Sequence, residues 1–291
     1  MTTFAIIYNP SAGRGQAEHA ALTAARYLSD QGMSAELFPT CSPGHATTTA
    51  REVASFSDTV VAVGGDGTAN EVVNGLVGTP AALGIIPAGT VNVMAQELGL
   101  PRSVILACRV LAQRKTTLVD LGQVNDRFFL LMAGAGIDAL TVKHIRPHAK
   151  RYLRELAFVA TGFGKLVAKP PTPFLVRVEQ QEYQATFFVA SNARRYAGNL
   201  TLTPCADPFD GLLDMLIFTG TTRASLAVFW MKAPSKLHLR DPQVIRIRGK
   251  EALLKPLGDG DSVWFQTDGE VAGTLPARVK IHPRVLPVVV P

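Results

Sequence analysis

Residues 60–76 read VVAVGGDGTANEVVNGL, and this stretch decides how the first half of the chain folds. Four apolar residues, 60–63, make a strand with no polar face, as expected of a strand covered on both sides. Gly64, Gly65, Asp66, Gly67 and Thr68 form a turn, and from Ala69 onward the apolar residues recur at helical spacing. Glycine has no Cβ, so its backbone can pass closer to a neighbouring group than other residues allow. A glycine-rich turn between a buried strand and a helix can therefore present main-chain N–H groups and a helix N-terminus to an anion.

The same alternation runs outward from this turn. FAIIY (4–8), SAELF (34–38), TVVAV (59–63) and ALGII (82–86) read as strands. QAEHAALTAARYLSDQG, ended by Gly32, reads as a helix, as do a segment from about His45 to Ser55, ANEVVNGL (69–76) and VNVMAQELGL (91–100), the last stopped by Pro101. Apolar strands alternating with amphipathic helices predict an α/β fold, an N-terminal doubly wound parallel-sheet nucleotide-binding domain with ligands at the carboxyl ends of the strands. After about Asp120 the texture changes. RFFLLMAGAGIDA (127–139), FLVRVEQ (174–180), YQATFFVASN (183–192), LLDMLIFT (212–219), VIRIRG (244–249) and SVWFQTDGE (262–270) are strand-like, with helical stretches only around 141–167 and 224–232. This predicts a C-terminal antiparallel β-sandwich domain. The expected division is 1–121, with the tail 282–291 returning to it, and 122–281.

Composition narrows the classes further. The chain has 291 residues, 47% of them apolar, enough for two cored domains rather than a disordered chain. A net charge of +6 favours anionic partners without choosing among nucleotides, lipid head groups and nucleic acid. Cys41, Cys108 and Cys205 fit no metal-ligand spacing and read as reduced thiols of an intracellular protein. The N-terminus lacks the basic and apolar regions of a signal peptide, and no run approaches the roughly 18 apolar residues of a membrane span. The expected location is cytoplasmic. A mean hydropathy of +0.18 is high enough to suggest a lipid-facing surface.

Three glycine-rich turns follow predicted strands: NPSAGRG (9–15), GGDGT (64–68) and IPAGTVN (86–92). One such turn occurs in any α/β protein, whereas three on one sheet edge favour a phosphate site. No GxxxxGK[ST] is present, which excludes a P-loop enzyme. GAGIDA (134–139) matches a dinucleotide fingerprint but lies in the β-rich half rather than in an opening βαβ unit.

In order, YNPSAGRG, VGGDGTANEVVNGL, PAGTVN, NARRYAGNLTLTP, DGLLD and QTDGE resemble the diacylglycerol kinase catalytic-domain family. They are most similar to its small bacterial soluble lipid kinases, themselves similar to sphingosine kinases. The resemblance runs almost from end to end, including HPRVLPVVVP (282–291). It implies an ATP site between two domains, with Gly64, Gly65, Asp66, Gly67, Thr68, Ala69 and Asn70 around the phosphates. Asn9, Arg14, Thr40 and Thr90 match further nucleotide-binding positions. It also implies Glu270 as the general base and Asp268 as a residue that orients it or helps hold a metal. Asp210, with carbonyl oxygens of Asp207 and Leu212, matches a Mg²⁺ site whose oxygen-only ligands suit a hard cation. Taken alone, DGE is as well explained by a β-turn with solvated acids, and residues 207–212 by a turn ending at Gly211.

The chain departs from the family pattern at two places. Asn92 is followed by Val93 where many members have Asp, which puts the usual metal arrangement in doubt. Arg14 stands where many have lysine, replacing a point charge by a fork. The segment TVKHIRPHAKRYLRELAFVATGFGKLVAK (141–169) is basic and then apolar, so it reads either as a contact for an anionic membrane surface or as a core helix with a solvated basic rim. SLAVFWM (225–231) is a second candidate for lipid contact. The expected activity is ATP- and Mg²⁺-dependent transfer of the γ-phosphoryl group to a lipid hydroxyl, peripheral to the inner membrane face. An NAD kinase-like enzyme and a catalytically silent nucleotide- or lipid-binding protein are the alternatives. Nucleic acid is disfavoured as a partner, because the cations are not interleaved with aromatics in a known module. A homodimer stays open.

Overall fold

The computed structural model describes residues 3–137, 139, 171–196, 200–258 and 262–291. The chain divides into two compact units, Met1–Leu121 with Pro283–Pro291, and Gly122–His282. The segment 141–169 singled out above lies outside the described residues.

The first unit is built on β1 (Thr3–Tyr8), β2 (Ser34–Pro39), β3 (Thr59–Gly64) and β4 (Ala82–Pro87), in the order β2-β1-β3-β4 with every pair parallel. β3 and β4 are buried at every residue, which their apolar sequences require, while β2 at the edge is half-buried. Helices α1 (Gln16–Asp30), α2 (His45–Val53), α3 (Asp66–Leu76), α4 (Val93–Glu97) and α5 (Val104–Gln113) connect them. α1 packs with α5, and α2 with α3. The chain leaves β1 for β2 on one side and returns to β3 on the other. The sheet therefore has its topological switch at the carboxyl ends of β1 and β3, where such folds hold ligands.

Two features of this unit differ from the sequence reading. The helix predicted to run to Leu100 stops at Glu97, because Gly99 turns the chain with φ +68°. The helix α5 was not predicted; it buries Ala107, Cys108, Val110 and Leu111 at helical spacing. Burial pushes the Cys108 thiol up to about 11, which makes it inert packing.

The second unit carries two antiparallel sheets. One runs β12-β11-β10-β7-β14-β15, from β7 (Met132–Gly136), β10 (Phe187–Ser191), β11 (Leu213–Phe218), β12 (Val244–Gly249), β14 (Trp264–Thr267) and β15 (Glu270–Thr274). The other pairs β8 (Phe174–Val178) with β9 (Gln181–Ala185), β8 with β13 (Glu251–Pro256), and β13 with the first part of β16 (Ala277–Val289). Inward residues of both sheets, among them Phe174, Phe188, Met215, Leu254 and Phe265, share one core, so the unit is a β-sandwich. A helix, α6 (Arg223–Lys232), follows β11 and starts at Thr222, whose hydroxyl accepts the N–H of Ser225.

Residues 127–139, read as one strand-like run, become β6 (Arg127–Phe129) and β7, with the break at Leu130 and Leu131. β6 is hairpinned onto β5 (Thr116–Val124), the strand that leads out of the first unit. The GAGIDA segment opens on β7, whose neighbours β10 and β14 are antiparallel to it, so it has no dinucleotide-binding context.

Candidate active site

The three glycine-rich turns of the first unit touch one another through main chain. The N–H groups of Ala88 and Gly89 both donate to the Gly64 carbonyl, at 2.9 and 2.8 Å. A Cβ on Gly89 would lie 2.5 Å from the Gly65 Cα, and one on Gly13 would lie 2.1 Å from the Ala88 carbonyl oxygen. Any side chain at either position would wedge the turns apart, so the glycines are required by the approach of backbone to backbone. Asn92 fixes the fourth-strand turn from within: its Oδ1 accepts the Gly89 N–H and its Nδ2 donates to the Gly89 carbonyl. Asn9 does the same for the first turn, its Oδ1 accepting the Ser11 N–H.

The first turn of α3 opens beside this cluster. Its leading N–H groups have no intrahelical acceptor, and the helix dipole favours an anion there. Gly65, Asp66 and Gly67 are half-buried, while Gly64, Thr68, Ala69 and Asn70 are buried. Asp66 Oδ1 accepts the Met94 N–H at 3.1 Å, tying the start of α3 to α4. Thr40 hangs its N–H on the Tyr8 carbonyl, Thr90 is exposed in the fourth-strand turn, and Arg14 is exposed with φ +62°. The structure thus gathers Asn9, Thr40, Thr90 and residues 64–70 at the carboxyl ends of β1–β4.

The described cradle suits a phosphate chain, because its glycines let three turns close on one another beside the first turn of α3, whose N–H groups and dipole favour an anion. We expect Gly89→Ala to force the two turns apart at a cost of about 1–3 kcal/mol, the usual penalty for overpacking. ATP affinity should fall roughly tenfold in calorimetry, with the unfolding of the β-sandwich unaltered. Unchanged affinity would mean that the turn contact does not shape the phosphate site.

In the second unit, β14 and β15 are joined by Asp268 and Gly269, both at positive φ, 49° and 81°. Two consecutive left-handed residues make the hairpin turn that matches strand twist, and Asp-Gly is a preferred pair for it. Glu270 is the first residue after the turn, paired across the hairpin with Thr267. Its side chain is 42% exposed, and its Oε2 meets Nη2 of Arg127 on β6. Asp268 is not turned to solvent. Oδ2 accepts the Leu130 N–H at 2.8 Å, and Oδ1 accepts those of Leu131 and Met132 at 2.9 and 3.0 Å. Its own N–H donates to the Met132 carbonyl. Asn192 holds the same segment from the other side through its Nδ2 on the Leu130 carbonyl. Asp268 therefore engages both oxygens with the chain and pins the turn that presents Glu270.

The Mg²⁺ position fits poorly. Asp210 Oδ1 accepts the Leu212 N–H at 3.0 Å, and Oδ2 is ion-paired with Nη2 of Arg248. Asp207 Oδ1 accepts the Phe209 N–H at 3.1 Å. Both acids close turns on their own backbone, and an arginine occupies the remaining oxygen of Asp210. Among the described residues no group of three His, Cys, Asp or Glu side chains is placed to hold a metal. Arg127, Asn192 and Arg248 were not singled out individually in the sequence, although Asn192 opens the NARRY motif.

Residues 3–124 match the diacylglycerol kinase catalytic domain, and residues 132–290 match the YegS C-terminal NAD kinase beta sandwich-like domain. The diacylglycerol kinase of Bacillus subtilis (strain 168) is 30% identical over 295 residues, covering 98% of this chain and 95% of that protein. That of Staphylococcus aureus (strain bovine RF122 / ET3-1) is 30% identical over 278 residues, covering 94% and 87%. A crystal structure of a diacylglycerol kinase from Bacillus anthracis str. Sterne superposes with a TM-score of 0.74 at 20% identity, over 99% of this chain and 97% of that one. A second structure from the same organism reaches 0.82 at 22% identity, over 99% and 95%, a likeness of fold. The chain belongs to the diacylglycerol kinase family. It is a kinase, a phosphotransferase acting on a hydroxyl acceptor, and a kinase of this family draws its phosphoryl group from ATP.

Proposed function

We infer that this protein phosphorylates the free hydroxyl of diacylglycerol, with Glu270 as the base. The observation that carries the reading is Glu270 itself, a half-exposed carboxylate presented by a two-residue turn that Asp268 pins in place. Phosphoryl transfer asks the protein for little covalent chemistry; it needs positioning, charge compensation and an acceptor for the hydroxyl proton. The glycine turns at residues 9–15, 64–68 and 86–92 hold the phosphates of ATP. Glu270 takes the hydroxyl proton as the hydroxyl oxygen bonds to the γ-phosphorus and the bond from that phosphorus to the β,γ-bridging oxygen breaks, releasing ADP. Bound with ATP, Mg²⁺ would offset the charge of the phosphates; we do not assign it to the turn at 207–212, where Arg248 pairs with Asp210.

The lipid meets the protein at a membrane surface on the cytoplasmic side, where ATP is available. Among the described residues no helix is long and apolar enough to cross a membrane, so the contact we propose is peripheral. α6 supports it, because Met231 is 70% and Val228 43% exposed on a helix whose Leu226 and Phe229 are buried. The curated relatives named diacylglycerol kinase favour that lipid over a sphingoid base or ceramide.

The test is a transfer assay with γ-labelled ATP and Mg²⁺ against mixed micelles of diacylglycerol, monoacylglycerol, a sphingoid base, ceramide and phosphatidylglycerol, with NAD in parallel. Label is expected in diacylglycerol. Label in another lipid would correct the acceptor, and label in NAD alone would overturn the lipid reading.

A further inference from the structure

Three acids lie on the turn that leads into β11 and on the second residue of that strand: Asp207, Asp210 and Asp214. Asp214 is the most costly of them, because its side chain is only 11% exposed. Such a cluster is stable as carboxylates only if a cation stands among them.

Arg248 is that cation. It lies directly opposite Asp214 in the β11–β12 register, so its stem is already aimed at the cluster by strand pairing. Its guanidinium forks: Nε donates to Asp214 Oδ2 at 3.1 Å and Nη2 pairs with Asp210 Oδ2. A planar guanidinium suits this task better than an ammonium, since its donors are fixed at the spacing of two carboxylates.

We propose that Arg248 is a tethered cation that replaces a divalent metal ion at this turn, so that residues 207–214 keep their fold with no metal bound. A hard dication needs several oxygen ligands to itself. Here it would compete with the Leu212 N–H and with Arg248 for Asp210, and would face the charge of the guanidinium. This inference does not depend on the lipid or ATP reading, because its test involves neither.

The experiment is thermal unfolding of the nucleotide-free protein in chelator and in millimolar Mg²⁺ or Ca²⁺, for the wild type, Asp210→Asn and Arg248→Met. The quantity read is the part of the metal-induced shift that Asp210→Asn abolishes. A metal bound at about 100 times its Kd would add about 2.7 kcal/mol, a shift of several degrees in a chain of this size. We expect none in the wild type. We also expect Arg248→Met to unfold several degrees lower in chelator and to recover part of the loss in Mg²⁺ or Ca²⁺, as the exposed carboxylates find an external cation. A shift of several degrees in the wild type, lost in Asp210→Asn, would overturn the proposal, as would an Arg248→Met protein as stable in chelator as the wild type. Should Arg248→Met fail to fold in any condition, the wild-type and Asp210→Asn comparison decides alone.

Discussion

Glu270→Gln is expected to bind ATP as the wild type does and to transfer the phosphoryl group 10²–10⁴-fold more slowly, the usual contribution of a positioned base (about 3–5 kcal/mol of barrier). The amide keeps the shape of the side chain and loses the charge and the basic lone pair. Glu270 Oε2 is engaged by Arg127, so Oε1 is the oxygen with the better claim on the acceptor's proton. The same pairing makes the variant a clean one. Both partners are partly exposed, 33% and 42%, and an ion pair of that exposure contributes only about 0–1 kcal/mol, so the fold should survive the substitution. Initial rates in the micelle assay, with calorimetric ATP binding and an unfolding curve on the same preparation, separate chemistry from folding. Undiminished transfer would remove Glu270 from the mechanism.

The parts of this architecture that sequence discloses are those governed by local period and turn chemistry. The apolar runs 59–63 and 82–86 have no polar face, which only a strand covered on both sides tolerates, and they are buried throughout. Asp268-Gly269 is a turn pair by its residue types, and the backbone has the required positive φ at both positions. The run 262–270 nevertheless reads as one strand-like segment, and the strand Glu270–Thr274 beyond it goes unread. What sequence withholds depends on partners far along the chain. The run 127–139 breaks at Leu130 because an acid at 268 takes its N–H groups, and nothing within the run announces that. VIRIRG offers two arginines on one face of a strand. Which one meets the acids follows from register: Arg248 falls opposite Asp214, and Arg246 opposite Leu216. The oxygen-rich turn at 207–212 reads as a metal position, and its pairing with Arg248 follows only from strand register. The helix α5 is a different kind of miss, since VILACRVLAQ opens with three large apolar residues in succession and its helical period shows only at Ala107, Cys108, Val110 and Leu111.

Asp268→Ala is expected to lower both stability and turnover while leaving Glu270 in the chain. Three backbone N–H groups lose a charged acceptor, and each such bond is worth on the order of 1–3 kcal/mol when its donor is left without a partner. Water will reach some of them, since Asp268 is itself half-buried, so roughly 3–5 kcal/mol is the reasonable total. Alanine also tolerates φ +49° less well than aspartate does. The unfolding midpoint should drop on the order of 10 °C. Asp268→Asn separates the two causes. It accepts positive φ as readily but can place only one oxygen against three donors, so it should recover the turn and only part of the clamp. Turnover in both variants should fall through kcat more than through the KM for ATP, because what is lost is the aim of Glu270 and not the phosphate cradle of the first unit. Excess Mg²⁺ decides between a clamp and a metal ligand. A ligand lost from a metal site weakens binding and is compensated by more metal, whereas three unpaired N–H groups gain nothing from a cation. Restored kcat at high Mg²⁺ would return Asp268 to the metal; an unchanged deficit leaves it as the residue that holds the base in place.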